Sequence, residues 1–280
     1  MASPHAWRSP ALWTLVALNV ASAVWLTIRL FQSGVSPGPA SAVLLSWVCY
    51  AALLTAIVVK LARDAQPPLS AVVGSALWGG LAAAASAQLI ASATRDQIAD
   101  ALGSSGEAWT SALAAPLPEE ILKAVGVLLL SLAWPDLRNP LSGMVLGAVA
   151  GIAFNAAEGL AYSIAEIGDS GGSLEPLWSD LLVRGFLTGL ITHAGLTAIV
   201  GAGIGYLLSG PETALLRRIT VFMTLMLVAV ALHALVDSPL LDAWGVWGIV
   251  AKQIPVAAMV WLAWSRSRSE LTRRRRLNRH

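Results

Sequence analysis

Apolar residues along this chain fall into eight long runs, near 11–31, 40–61, 69–94, 108–134, 141–165, 181–208, 215–237 and 243–264. Each approaches or exceeds the roughly 20 apolar residues that carry a helix across a bilayer. Proline, glycine and charge separate the runs: Ser36-Pro37-Gly38-Pro39, Pro67-Pro68, Gly103-Ser104-Ser105-Gly106, Trp134-Pro135, 168–172, Gly210-Pro211 and Ser238-Pro239. These residues end helices and turn the chain, and no loop between them is long enough for a soluble domain. The pattern predicts an all-α polytopic membrane protein of about eight transmembrane helices. It forms one domain over 1–265, with a basic tail over 266–280.

Composition agrees. Hydrophobic residues make up 56% of the 280 and charged residues 12%, with a mean hydropathy of +0.70. Soluble domains carry about 25% charge, so an ordinary cytosolic enzyme is excluded. The charges between runs alternate. His5 and Arg8, Lys60 and Arg63, Arg138, Arg217 and Arg218, and the tail from Arg266 to Arg279 fall on one side. Asp96, Asp100, Glu107, Glu166, Asp169, Glu175, Asp180, Asp237 and Asp242 fall on the other, where Arg95 and Arg184 are the exceptions. The positive-inside rule then puts both termini in the cytoplasm and the acidic loops outside a plasma membrane. The first run follows a short basic region, but its length exceeds the roughly 7–15 residues of a signal core, which favours an uncleaved anchor.

Other features have plain readings. The single cysteine, Cys49, excludes an internal disulfide and a cysteine-based metal centre. Glycines at helical spacing (Gly143, Gly147 and Gly151; Gly185 and Gly189; Gly201 and Gly205) predict close helix packing. The stretch from Gly201 to Gly205 lies inside an apolar run with no preceding strand, so it reads as packing rather than a nucleotide loop. The arginine tail, directly after a span, suits anionic lipid rather than nucleic acid.

Ionisable groups inside a span cost at least about 2.5–3.5 kcal/mol each and mark functional sites. The fourth run carries Pro118-Glu119-Glu120-Ile121-Leu122-Lys123; the fifth Phe154-Asn155-Ala156-Ala157-Glu158; the sixth Thr192-His193; the seventh His233-Ala234-Leu235-Val236-Asp237. Lys123 lies three and four residues after the two glutamates, and Asp237 four after His233, so each set shares a helix face. Counted from the acidic ends at 1.5 Å per residue, Glu119, Glu158, His193 and His233 lie roughly 8–20 Å deep. One polar cavity built by the fourth to seventh helices, over 108–238, accounts for that agreement.

Carboxylates and imidazoles together suit acid–base activation of water. With a metal, a catalytic zinc needs about three protein ligands and an open position. Glu158, His193 and His233 can supply them, leaving Glu119 or Glu120 as base. Without a metal, a carboxylate–histidine pair activates water while His233 steadies an oxyanion. Pro118 also suits the start of a helix, with its acids in the first turn and 103–117 an outer or re-entrant loop. Lys123 reads as a neutralising partner for the acids, and Asp237 as a group that orients His233. Arg184 fits either an interfacial anchor or a clamp on one end of a substrate. No His-Glu-x-x-His or Gly-x-Gly-Asp motif is present, and the two Gly-x-Ser-Gly matches, Gly103-Ser104-Ser105-Gly106 and Gly168-Asp169-Ser170-Gly171, fall in the polar loops between runs rather than inside a span.

Glu119-Glu120-x-x-Lys123, Phe154-x-x-x-Glu158, His193 and His233-x-x-x-Asp237, in order on successive helices, resemble the PrsW family of intramembrane proteases. That family is related to the CAAX-prenyl proteases and bacteriocin-processing enzymes, which share the paired glutamates. The resemblance covers about half the chain. It implies hydrolysis of a peptide bond in a membrane-associated substrate, such as an anti-sigma factor, with a divalent metal, zinc, as cofactor. Where the wider group has asparagine four residues after the last histidine, this chain has Asp237. An ionised aspartate cannot donate to an oxyanion, so an orienting role fits it better. The rival readings are a proton- or cation-coupled transporter and a non-catalytic scaffold.

Overall fold

The computed structural model describes residues 8–65, 67–103, 106–189, 191–210 and 213–277, with side chains described as far as Arg273. Expectations placed on His5, Ser104, Ser105, Pro211 and the side chains of Arg274, Arg275, Arg276 and Arg279 lie outside the described residues. Among the described residues there is no strand, and eight long helices follow the eight apolar runs. They are α1 (Pro10–Gln32), α2 (Pro37–Leu61), α3 (Leu69–Leu102), α4 (Pro116–Ala133), α5 (Pro140–Asp169), α6 (Glu175–Leu207), α7 (Leu215–Asp237) and α8 (Val246–Leu277). All but α4 are long and apolar enough to cross a membrane. α4 has 18 residues and carries Glu119, Glu120 and Lys123.

Proline opens several helices, α1, α2, α4 and α5 among them, where its missing N–H would be unpaired in any case. The run at 108–134 is not one helix. A 3-10 turn at Glu107–Trp109 and a short helix at Thr110–Ala114 precede α4. Pro116 and Pro118 lack the amides that would bond back into that short helix, so the ladder breaks there. At the other end of the chain α8 runs on to Leu277, so the arginines of the tail extend the last span as helix.

The bundle is built around α5 and α6. About four-fifths of their apolar windows are buried, against 11–22% for α1, α2, α7 and α8. Large apolar side chains such as Leu45, Leu216 and Trp261 point outward, as a lipid-facing surface requires. α5 and α6 are antiparallel and touch backbone to backbone. A Cβ added at Gly143, Gly147 or Gly151 would overlap the carbonyl oxygen of Gly201, Thr197 or His193 respectively. The last of these contacts presses the backbone of His193 against α5.

Two wide π-type turns interrupt the helices and face the site. In α6, Leu181–Gly189 leaves carbonyls that normal helical bonding would occupy. The Tyr50 hydroxyl donates to Gly185 O at 2.8 Å, and the Asn155 amide to Arg184 O at 3.3 Å. In α3, Trp78–Ala83 turns the Trp78 ring onto Gly126 of α4, and its indole N–H donates to Leu122 O at 2.8 Å. This contact holds the turn of α4 that carries the charged residues.

Candidate active site

The first turns of α4 present two neighbouring glutamates with different surroundings. Glu120 is fully buried and saturated. Lys123 Nζ donates to its Oε1 at 2.6 Å, Thr197 Oγ1 donates to its Oε2 at 3.2 Å, and His233 Nδ1 lies 3.0 Å from Oε1. Glu119 has a buried Oε2 with no hydrogen-bond partner. That oxygen lies 3.7 Å from Lys123 Nζ, 3.8 Å from His193 Nδ1 and 3.7 Å from His233 Nε2.

The two imidazoles meet edge to face, centroids 5.0 Å apart. Their partners fix which nitrogens hold lone pairs. Glu120, salt-bridged to Lys123, is an acceptor, so His233 donates from Nδ1 and keeps its lone pair on Nε2. An ammonium only donates, so Lys123, 3.2 Å from His193 Nδ1, makes that atom the acceptor. His193 Nε2 then donates to Glu158 Oε2 at 3.2 Å. Each ring therefore has a carboxylate behind it, Glu120 for His233 and Glu158 for His193. This is the arrangement that orients metal-ligating histidines. Asp237 Oδ2 lies 3.5 Å from His233 Nε2. Glu158 and Asp237 keep 31% and 26% of their side chains exposed, so they form the mouth, while Glu120 and Lys123 form the floor. Phe154 walls one side, its ring centroid 4.5 Å from Lys123 Nζ and 5.3 Å from His193.

The donor set fits a divalent metal. Glu119, His193 and His233 bring one ligand atom each within 4.8 Å of one another. Tetrahedral ligands of one zinc ion stand roughly 3.4 Å apart, and two histidines with one glutamate is an established catalytic zinc set. The unpartnered Glu119 oxygen lies within 4 Å of His193 Nδ1 and His233 Nε2, and an ion bound there would take the His193 Nδ1 lone pair from Lys123. Charge agrees: the buried Glu119 and Glu120 outnumber Lys123 two to one, and Glu158 and Asp237 add acid at the mouth.

All the residues singled out in the sequence (Glu119, Glu120, Lys123, Phe154, Glu158, His193, His233 and Asp237) thus meet in one cluster. Glu119, His193 and His233 form a potential ligand set, whereas the zinc donor count in the sequence points to Glu158 with the same histidines; Glu158 lies 3.2 Å from His193 Nε2. Four contributors carry no motif that would single them out. Thr197 looks like an ordinary span residue, and Trp78 acts from another helix. Lys252 and Gln253 are polar residues of the eighth run that belong to no spacing pattern. Lys252 Nζ donates to Ser238 O at 2.5 Å, Val236 O at 3.3 Å and Asp242 Oδ1 at 2.7 Å, pinning the end of α7 just beyond Asp237. Gln253 pairs with the Thr192 hydroxyl, its Nε2 at 2.9 Å.

Neither the curated proteins nor the solved structures contain a match to this chain. A family model described as PrsW family intramembrane metalloprotease matches residues 67–264, which takes in α3 to α7 whole and more than half of α8. With a buried glutamate–histidine cluster at the centre of a multi-pass helical bundle, the chain belongs to the PrsW family of intramembrane metalloproteases.

Proposed function

We propose that the cluster hydrolyses a peptide bond of a membrane-anchored protein, with Glu119, His193 and His233 holding a divalent ion, zinc by its donor chemistry. A bound ion of this kind polarises a carbonyl and makes water a nucleophile near neutral pH. The observation that carries the reading is the buried Glu119 oxygen, unpartnered and aimed at the two imidazoles. Glu158, at the mouth and engaged by His193 through one oxygen, has lone pairs left to accept the proton of the attacking water. This differs from the sequence expectation, in which Glu158 is a ligand and Glu119 or Glu120 the base. Glu120 holds His233 in one tautomer and Lys123 in place. Lys123 compensates the buried acids, and Asp237 adds negative charge beside His233 Nε2 at the mouth, which favours a bound cation. The surrounding helices exclude bulk water, which strengthens each of these interactions.

The charge pattern supports a plasma-membrane protein with cytoplasmic termini and a site opening toward the outer face, with anionic lipid against the arginine tail. The substrate class is a membrane-anchored regulator such as an anti-sigma factor. No observation favours a transporter, because the ionisable cluster of α4 to α7 has no counterpart in the first three helices among the described residues. The test is cleavage of a panel of single-span proteins by the detergent-purified enzyme, with products identified by mass spectrometry. Cleavage that disappears in folded Glu119→Gln and Glu158→Gln proteins is the expected result. Cleavage unchanged in both removes the site from the reaction.

A further inference from the structure

Arg95 of α3 and Arg184 of α6 are the two basic residues that break the charge pattern, standing at the acidic end of the bundle. They converge on one side chain, Tyr162 of α5. The Arg184 guanidinium lies flat over that ring, Cζ 3.6 Å from the centroid. Arg95, exposed on α3, lies beside the same tyrosine. Tyr162 is four residues after Glu158, so it shares that helix face one turn nearer the acidic end.

Arg184 is held by neighbours within the bundle. Its Nε donates to Asp180 Oδ1 at 3.1 Å, and the other oxygen of that buried acid accepts from Ser163 at 2.7 Å. The guanidinium is thereby held against the tyrosine while 39% of the side chain stays exposed. Its two terminal amino groups have no hydrogen-bond partner among the described residues. The other cations of this half are engaged: Lys123 by Glu120 and His193, Lys252 by two carbonyls and Asp242. Arg95 is exposed. Two arginines that violate the topology signal therefore converge, with donors to spare, beside an acid-rich mouth.

We infer that Arg95 and Arg184 form a carboxylate-binding subsite that selects substrates by a negative charge close to the scissile bond. The planar fork of a guanidinium matches a carboxylate in two-point fashion. Without such a pair, the acids of the site would repel a substrate carboxylate. One helical turn is about 5.4 Å and an extended peptide advances about 3.3 Å per residue, which puts the recognised charge about two residues from the cleaved bond. The carboxylate is either an Asp or Glu side chain or the free C-terminus of the substrate.

The inference rests on the peptidase reading, and its test separates the two. A single-span peptide that the purified enzyme cleaves is made in matched versions. Glu replaces Gln at each of the three positions on either side of the cleaved bond, and the C-terminus is either free acid or amide. The expected result is a preference for a carboxylate of about tenfold or more in kcat/KM, expressed mainly in KM. Preference for an internal Glu assigns the subsite to a side chain; preference for the free acid assigns it to the terminus. Arg184→Gln and Arg95→Gln are each expected to abolish the preference. Arg184→Glu is expected to turn it toward peptides carrying Lys at the same position, which a purely structural role for Arg184 would not produce. Cleavage with no carboxylate preference, or a preference that survives both Gln variants, overturns the subsite and leaves the peptidase standing. Failure to cleave any peptide overturns the peptidase and the subsite together.

Discussion

Glu119 and Glu120 are adjacent in the chain, yet about 100° of helical rotation separates their tasks. Glu120 is saturated by Lys123, Thr197 and His233, so its removal strands a buried ammonium. Glu120→Gln is expected to destabilise the protein by about 3–5 kcal/mol, the usual result of breaking a buried pair. A lower melting temperature in detergent and reduced yield would record it. Glu158 lies at the mouth and carries no such structural burden. Glu158→Gln is expected to keep the wild-type melting temperature while losing about 10²–10⁴-fold in cleavage rate, measured on one substrate under identical conditions. The identity of these residues is legible in the sequence because charge inside an apolar helix is costly and therefore conspicuous. Their division of labour is not, because it depends on how α4 is rotated against α6 and α7. Thr197 carries no signal at all, since threonine is common in spans.

Between elements, the glycine register of α5 and α6 sets how near His193 comes to its partners. Gly151 meets the His193 carbonyl, whereas Gly205, at the far end of the same interface, meets the Asn139 carbonyl. Valine at either position overpacks the interface, at a cost of about 1–3 kcal/mol or more. The two changes are expected to differ in function. Gly151→Val displaces His193 and loses cleavage, while Gly205→Val loses comparable stability and keeps cleavage per folded molecule. Thermal melts and specific activity measured together distinguish them. The four-residue spacing of these glycines is enough by itself to indicate a close approach of two helices. The wide turns at Trp78–Ala83 and Leu181–Gly189 are not legible in this way, because they persist only where Leu122, Tyr50 and Asn155 supply hydrogen-bond partners from other helices. The break before Pro116 is half legible. Proline marks a helix start near Pro118, but only packing shows that Thr110–Ala114 forms a separate helix with Thr110, Ala112 and Ala114 buried.

For the whole molecule, the alternating charges and the location of the site make one statement about topology. The C-terminal ends of α5 and α7 and the N-terminal ends of α4 and α6 lie at the acidic end, where the mouth opens. In a Cys49→Ser background, Ser170→Cys after α5 is expected to react with a membrane-impermeant maleimide on intact cells. Ser269→Cys on α8 is expected to react only after permeabilisation. The opposite pattern would invert the orientation and place the mouth toward the cytoplasm. At this scale the sequence is most informative, since hydropathy marks the helices and charge their direction, and neither depends on a tertiary contact. The helical continuation of the tail lies beyond it, because a run of arginines directly after a span reads equally as coil or helix.

The central claim, a metal held by Glu119 and the two histidines, is tested most directly by the divalent metal content of the purified protein. Elemental mass spectrometry would compare the wild type with the Glu119→Gln and Glu158→Gln proteins. About one equivalent per wild-type chain is expected, lost in Glu119→Gln and retained in the inactive Glu158→Gln protein. Metal retained in Glu119→Gln and lost in Glu158→Gln would return the two acids to the opposite roles. Full cleavage by metal-free wild-type protein would contradict the metal-assisted site altogether.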